Sequence, residues 1–249
     1  ETIYRFMKKK RVKVIFLLLL FFLHGIESDV RKQGVHFLDV GQGDSSLIIT
    51  QAGSSILIDT GKGKSIHQLL HHLGVVELDV LIITHFDEDH CGQIENLLYK
   101  KLYYPKGSDY AGGLPLERGD VLYVDEVVLR VLSPDKLQGE DNEDSLVLYV
   151  EAYDHRFFYG GDAGKRTLSR LQSEKVHVLK FPHHGSKHSL DEDFMDRLSA
   201  ELMVLSYGKN RYGHPHQEVL DYGEGRGVLL FKTMEEGNLQ IKKNGMRGY

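Results

Sequence analysis

The sequence predicts an α/β domain in which short strands outnumber helices and the reactive side chains gather in loops at strand ends. Three observations carry this reading. Aliphatic runs of strand length, bounded by glycine turns, recur from residue 35 onward. Between 54–59 and 79–83 lies a stretch of helical period, Ile66, Leu69, Leu70 and Leu73, so the order there is strand, helix, strand. The run at 79–83 then opens directly into Thr84-His85-Phe86-Asp87-Glu88-Asp89-His90-Cys91-Gly92, the layout of a buried strand whose exit loop carries function.

Composition sets the bounds. With 249 residues, 41% hydrophobic and 27% charged, the chain is ordinary globular material, enough for one large domain or two small ones. No internal repeat and no second linker are visible, which favours one. Cys91 is the only cysteine, which excludes a disulfide scaffold and zinc fingers or ribbons. The formal net charge of -5 shows no basic footprint of the kind that nucleic-acid-binding domains usually carry, although bound metal ions would offset several acids locally.

At the N-terminus, Met7-Lys8-Lys9-Lys10-Arg11-Val12-Lys13 precedes ten uncharged apolar residues, 14–23. Two readings compete. The layout fits a signal peptide, but His24-Gly25-Ile26-Glu27-Ser28 offers no small-residue cleavage site. A transmembrane helix normally needs about 20 apolar residues, so this run would have to tilt or let its lysines snorkel. Either way the basic flank stays cytoplasmic and the rest of the chain lies outside. A buried core helix is disfavoured because no polar face interrupts the run. The expected division is a hydrophobic, membrane-anchoring or signal-like helix within 1–30 and an extracytoplasmic domain over 31–249, secreted if the segment is cleaved.

Strands at 35–40 and 45–50, joined by Gly41-Gln42-Gly43-Asp44, and at 54–59 after the Gly53 turn are expected to run antiparallel. Asp59-Thr60-Gly61-Lys62-Gly63-Lys64 lacks the spacing of a nucleotide phosphate loop, and Asp59 is expected to buttress a neighbouring loop. His67, His71 and His72 on the following helix have no carboxylates beside them and read as surface residues. In the loop after 79–83, two imidazoles and three carboxylates occupy six consecutive positions, 85–90. Like charges this close repel unless a cation intervenes, and unpaired buried carboxylates are costly. A divalent metal supplies that cation, and His85 and His90 separate this stretch from a solvated acidic turn.

Further on, a short helix is expected at 92–98, a Gly- and Pro-rich loop over the site at 105–119, and strands at 121–124 and 127–133. The acidic run 138–144 reads as a solvated turn. Strands at 145–151 and 156–159 lead to Gly160-Gly161-Asp162-Ala163-Gly164, an aspartate in a glycine turn before a helix at 165–172, where backbone can approach a bound ion. The strand at 176–181 ends in Pro182-His183-His184-Gly185-Ser186-Lys187-His188-Ser189. Adjacent histidines point differently, so one of His183 and His184 is expected to face a metal while the other supports it. A helix at 191–198, a strand at 202–206, the polar loop 207–216, a helix at 217–221 and strands at 228–232 and 239–242 complete the chain.

Six pieces carry a resemblance. Val35-His36-Phe37-Leu38-Asp39-Val40-Gly41-Gln42-Gly43-Asp44-Ser45, Ile58-Asp59-Thr60-Gly61, His85-Phe86-Asp87-Glu88-Asp89-His90, Gly160-Gly161-Asp162, Pro182-His183-His184-Gly185-Ser186 and Tyr212-Gly213-His214-Pro215 occur in the order seen in the metallo-beta-lactamase superfamily. More narrowly, the chain from residue 35 resembles the extracellular hydrolase domain of the DNA-internalisation competence (ComEC) family. Each piece is modest alone; six in register are specific. The apolar helix ahead of the Val-Gly-Gln-Gly-Asp turn also resembles that family, where a polytopic channel precedes the domain, and the chain is expected to be the C-terminal portion of a longer protein.

The resemblance implies a metallo-beta-lactamase-like four-layer αββα sandwich with two divalent ions at one sheet edge. Carried over by position, His85 and Asp87 hold the first metal, Asp89, His90 and His184 the second, and Asp162 spans both. Asp87 stands where histidine is usual, and the family's intermediate histidine has no counterpart in Asn142-Glu143-Asp144-Ser145. The first site is therefore poorer in nitrogen, which moves preference from zinc toward manganese or magnesium and leaves the metal open. Asp59, His183 and Asn142 fall in supporting positions.

The implied activity is attack of a metal-activated water on a phosphodiester. Asp89 would orient the water, and His214 would protonate the departing oxygen or hold a phosphate oxygen. Ser186, Lys187, Asn210 and Arg211 are candidate phosphate contacts. The implied substrate is DNA, one strand degraded as the other enters the cell, with the membrane and other DNA-uptake proteins as partners. Three other readings stay open: an exported esterase of the same fold acting on phosphorylcholine or another small phosphoester, a non-catalytic metal-binding module, and a beta-lactamase proper, which the Asp87 replacement disfavours.

Overall fold

Alternation along the strands decides how this chain packs, because successive side chains of a strand point to opposite faces. The computed structural model describes residues 32–108, 110, 112–136, 139 and 142–249. In chain order the strands are β1 (Gly34–Phe37), β2 (Ser46–Ile49), β3 (Ser55–Ile58), β4 (Leu78–Ile82), β5 (Tyr99–Pro105), β6 (Leu114–Leu116), β7 (Val121–Val124) and β8 (Val127–Ser133). They continue as β9 (Val147–Ala152), β10 (His155–Tyr159), β11 (Val178–Lys180), β12 (Leu202–Leu205), β13 (Leu229–Lys232), β14 (Leu239–Lys242) and β15 (Gly245–Gly248). The helices are α1 (Ile66–His72), α2 (Glu88–Cys91), α3 (Lys165–Leu168), α4 (Glu192–Leu198), α5 (Gln217–Gly225) and α6 (Thr233–Glu236).

One sheet has the order β15-β14-β1-β2-β3-β4-β5-β6 and the other β13-β12-β11-β10-β9-β8-β7. Between them lies a core in which Val35, Phe37, Ile48, Ile56 and Ile82 of the first sheet share a cluster with Leu148, Val150, Phe157, Val178 and Val204 of the second. The opposite faces are apolar too. Leu47, Leu57 and Leu81 pack with Ile66 and Leu70 of α1. Tyr149, Phe158, Leu179 and Met203 pack with Leu168 of α3, Phe194 and Leu198 of α4, and Val219 and Tyr222 of α5. Each sheet is thus buried on both faces, giving helix, sheet, sheet and helix layers.

The strand directions bring the reactive loops together. β1, β2 and β3 are antiparallel, as expected, and β3 pairs parallel with β4 across the α1 crossover. β10, β11, β12 and β13 are mutually parallel, so the loops leaving β10, β11 and β12 emerge on one edge. Loops at the carboxyl ends of parallel strands are where α/β sheets place ligands.

Several expectations are corrected. The helix expected at 92–98 begins earlier, as α2, and stops at Gly92, where a Cβ would come within 2.4 Å of the Glu88 carbonyl oxygen; a 3-10 turn, Ile94–Asn96, follows. The loop expected at 105–119 contains β6, which pairs with β5 at the first sheet's edge, and Tyr110 beyond β5 stacks on Phe86 at 4.9 Å. The acidic run at 138–144, read as solvated, has buried and structural members: Asp144 accepts from Gly139 N at 2.8 Å, and Glu143 accepts from Thr167 N at the start of α3. α5 extends beyond 221 to Gly225, whereas α3 stops short of 172. The hydrophobic helix expected within 1–30 lies outside the described residues, among which no helix is long and apolar enough to cross a membrane.

The Gly41–Asp44 turn is clamped onto α2. Asp44 N donates to the Asp89 carbonyl at 3.0 Å, and a Cβ on Gly43, at φ +132°, would stand 2.3 Å from that same oxygen. Gly53 also has positive φ, +96°, yet nothing lies within 4 Å of its missing Cβ. Gly53→Ala is therefore expected to cost only the backbone strain, about 1 kcal/mol. Gly43→Ala adds a backbone clash and is expected to cost about 3 kcal/mol or more; urea denaturation of the two variants side by side measures the difference.

Candidate metal centre

Asp162 is the centre on which four loops converge. It sits in the turn after β10, where Gly161 takes φ +51° and a Cβ would meet Ser145 Cβ at 2.8 Å, and its own backbone N–H donates to Ser145 Oγ at 3.2 Å. Its side chain is buried at 4% exposure. Asp162 Oδ1 lies 3.1 Å from His90 Nε2, and Oδ2 lies 3.9, 3.8 and 3.7 Å from the Nε2 atoms of His85, His183 and His184. His85 Nε2 is also 3.6 Å from Asp87 Oδ2, and His184 Nε2 is 3.3 Å from Asp89 Oδ2.

Each buried ring is held from behind. Asp59, at φ 60°, accepts from Thr84 N and Thr84 Oγ1 at 2.7 Å each and stands 2.8 Å from His90 Nδ1. That leaves His90 Nε2 facing Asp162. His184 Nδ1 donates to the Ser206 carbonyl at 3.0 Å. Asp59 thus ties the backbone and hydroxyl of Thr84 to the ring of His90. His183 Nε2 lies 3.8 Å from Asp162 Oδ2 beside the 3.7 Å approach of His184 Nε2, and both residues take left-handed φ, 50° and 54°. Asn142 acts at one remove, its carbonyl accepting from Ser145 N at 3.2 Å.

The orphaned atoms show what the arrangement is for. His85 Nε2, His90 Nε2, His184 Nε2, Asp162 Oδ1 and Asp44 Oδ1 are buried and take no aligned hydrogen bond, although buried polar atoms are normally satisfied. Ligand atoms of Asp44, His90, Asp162 and His184 all lie within 4.8 Å of one another. Imidazole nitrogens and carboxylate oxygens converging on one volume fit a divalent cation such as zinc or manganese.

Electrostatics within the site is strongly coupled. Burial works to raise the Asp162 pKa, but His90, His184 and His85 outweigh it and hold the carboxyl well below the usual carboxylate range. Asp89 is likewise lowered, His184 and His90 overcoming its burial. For His184, burial is opposed by Asp162, Asp44 and Asp89, and the net shift is up to about 9. His90 is raised in the same way by Asp162 and Asp59. His214, whose ring is 5.3 Å from that of His183, is pushed down to about 4 by burial and by the neighbouring histidines, so at neutral pH it is an uncharged hydrogen-bond donor.

The remaining candidates sit on the rim. Ser186 is buried and its Oγ accepts from His188 N, while Lys187 pairs with Glu218 at 3.0 Å. Asn210 spends its amide on the Gly208 and His214 carbonyls and its oxygen on Tyr212 N and His214 N, so it shapes the loop around His214. The Arg211 guanidinium lies 5.7 Å from the Tyr212 ring centre. His67, His71 and His72 are exposed on α1, as read. Two residues were missed as participants: Asp44, which the sequence shows only as part of a glycine turn, and Lys180, whose position in an otherwise apolar strand was the available signal. Lys180 Nζ is 2.6 Å from Asp44 Oδ2, with both side chains buried.

Known proteins resemble this chain in sequence and in fold. Residues 38–208 match the model of the family described as the metallo-beta-lactamase superfamily. ComE operon protein 3 of Bacillus subtilis is 31% identical over 274 residues, covering 92% of this chain and 35% of that protein. Competence protein ComA of Neisseria gonorrhoeae is 32% identical over 220 residues, covering 82% and 31%. The chain thus spans about a third of the length of these relatives. Among solved structures, the metallo-beta-lactamase fold protein YhfI from Bacillus subtilis matches with a TM-score of 0.55 at 14% identity, covering 80% of this chain and 96% of that one, a likeness of fold.

The raised histidines set a pH dependence. A histidine with a raised folded pKa contributes stability that is full below its unfolded value of 6.5 and is lost as pH rises through the folded value, about 9 for His184. With a chelator present, stability is expected to fall between pH 6.5 and 9. With Zn²⁺ added the fall is expected to disappear, because ligation displaces the same protons. Thermal melts across that pH range, with and without Zn²⁺, check both outcomes.

Proposed function

Because the chain belongs to the metallo-beta-lactamase superfamily, we propose that this metal-dependent hydrolase cleaves phosphodiesters, with DNA, in single-stranded form, as its substrate during uptake by competent cells. The observation that carries the hydrolytic reading is the set of buried, unpartnered imidazole and carboxylate atoms around Asp162. The DNA reading is supported by a relative whose name is that of a competence protein; the net charge of -5 gives it no support of its own.

In this proposal His85 and Asp87 would hold one divalent ion, Asp89, His90 and His184 would hold the other, and Asp162 would contribute to both. Zinc or manganese bound there would lower the pKa of water and neutralise charge on the phosphoryl oxygens. Asp89, held ionised by its neighbours, would orient a water for attack. His214, neutral and hydrogen-bearing, holds a phosphate oxygen. Arg211 and Lys187, both exposed, would contact a phosphate backbone, Lys187 on leaving its ion pair with Glu218. Residues 1–30 would anchor the chain in a membrane, with 31–249 as the extracytoplasmic hydrolase domain, or would be cleaved to release it.

The test is a titration of the purified chain with Mn²⁺ and Zn²⁺, assayed on single-stranded DNA and on a chromogenic phosphodiester, beside Asp89→Ala. Partners behind metal ligands are typically worth 10- to 100-fold, so loss of a ligand is expected to lower turnover by about 100-fold or more. Persistent activity in Asp89→Ala would sink the assignment. Cleavage of the small ester without cleavage of DNA would move the substrate to a small phosphoester.

A further inference from the structure

We infer that Lys180 and Asp44 form an internally neutral pair that positions His184, turning its Nε2 toward the volume it shares with Asp89 and Asp162. The inference rests on the metal-centre reading and adds two positioning residues to it. Lys180 is 3% exposed although it closes β11, and its Nζ donates to Asp44 Oδ2 at 2.6 Å and to the Phe181 carbonyl at 3.1 Å. An ammonium buried this deeply requires a counter-charge. Asp44 supplies it with one oxygen only. The other, Oδ1, takes no aligned hydrogen bond and stands 3.2 Å from His184 Nδ1.

The two nitrogens of His184 therefore face different surroundings. Nδ1 has the Ser206 carbonyl at 3.0 Å and Asp44 Oδ1 at 3.2 Å. Nε2 has Asp89 Oδ2 at 3.3 Å and Asp162 Oδ2 at 3.7 Å. The Ser206 carbonyl accepts the Nδ1 proton and the Asp44 carboxylate beside it favours that proton electrostatically, which leaves Nε2 to face the cage, as partners of metal-ligating histidines do.

The lysine answers a charge problem. Asp87, Asp89 and Asp162 already face the cage, and a further uncompensated carboxylate behind His184 would add to their mutual repulsion. At 2.6 Å the ammonium cancels that charge, so His184 feels the negative end of a dipole while the cage gains no net charge. The turn after β1 and the end of β11 are 136 positions apart in sequence, which makes the pair a product of the assembled fold.

The test compares the purified chain with Asp44→Asn and with the double variant Asp44→Leu/Lys180→Met. Asparagine has one acceptor oxygen and cannot serve both Lys180 and His184. The double variant removes both buried charges at similar volume, a change buried ion pairs commonly tolerate in folding. Zn²⁺ affinity is read by competition with a chromogenic chelator, and the tautomer of His184 by ¹⁵N NMR of the Zn²⁺-loaded protein. Both variants are expected to bind Zn²⁺ about 10- to 100-fold more weakly, with altered His184 ring resonances. Unchanged affinity in the folded double variant would reduce the pair to a structural ion pair and overturn the inference. Weakened affinity with unchanged His184 resonances would make Asp44 a ligand and overturn it as well. If the parent chain binds no Zn²⁺, the metal-centre reading falls first; if it binds and the variants match it, only the positioning role falls.

Discussion

A carboxylate buried at the meeting point of four imidazoles is the constraint on which the rest of this structure depends. Asp162 lies within 3.9 Å of a ring nitrogen from each of His85, His90, His183 and His184, and those histidines come from loops of both sheets. Without a cation these groups satisfy one another poorly, since the Nε2 atoms of His85, His90 and His184 take no aligned hydrogen bond. The fold pins the loops from outside: Asp59 ties the β4 exit loop, the Gly41–Asp44 turn grips α2, and left-handed backbone at 183–184 delivers two adjacent rings to one side.

The architecture follows from the same need. Parallel pairing of β10, β11 and β12 gathers three exit loops at one edge, and the β3–α1–β4 crossover gives the other sheet a matching exit. Apolar residues on both faces of each sheet demand helices outside and a shared core between. The site then lies where backbone is irregular, beside rigid strands that fix its position.

Much of this is legible in the chain itself. The branched-aliphatic strands, the crossover and the His- and Asp-bearing exits declare themselves, because burial on both sheet faces writes continuous apolar runs. β5 and β6 do not: β5 carries Lys100 and Lys101 on exposed positions, and β6 is an edge strand of Leu114, Pro115 and Leu116 in a Gly-rich context. The 85–90 stretch stands out by its density of imidazole and carboxylate, whereas Asp162 and the assignment of ligands to two ions come from the family resemblance. Asp44 and Lys180 are legible in neither way, since their partnership spans distant turns, and a lysine closing an apolar strand signals only that some counter-charge must exist.

Anomalous diffraction from crystals grown with Zn²⁺ or Mn²⁺ tests the central claim most directly. Metal peaks are expected beside Asp162, with ligand distances of about 2.0–2.2 Å to His90 Nε2, His184 Nε2 and carboxylate oxygen. Full-occupancy density elsewhere and none at Asp162, with the imidazoles hydrogen-bonded directly to that carboxylate, would contradict it.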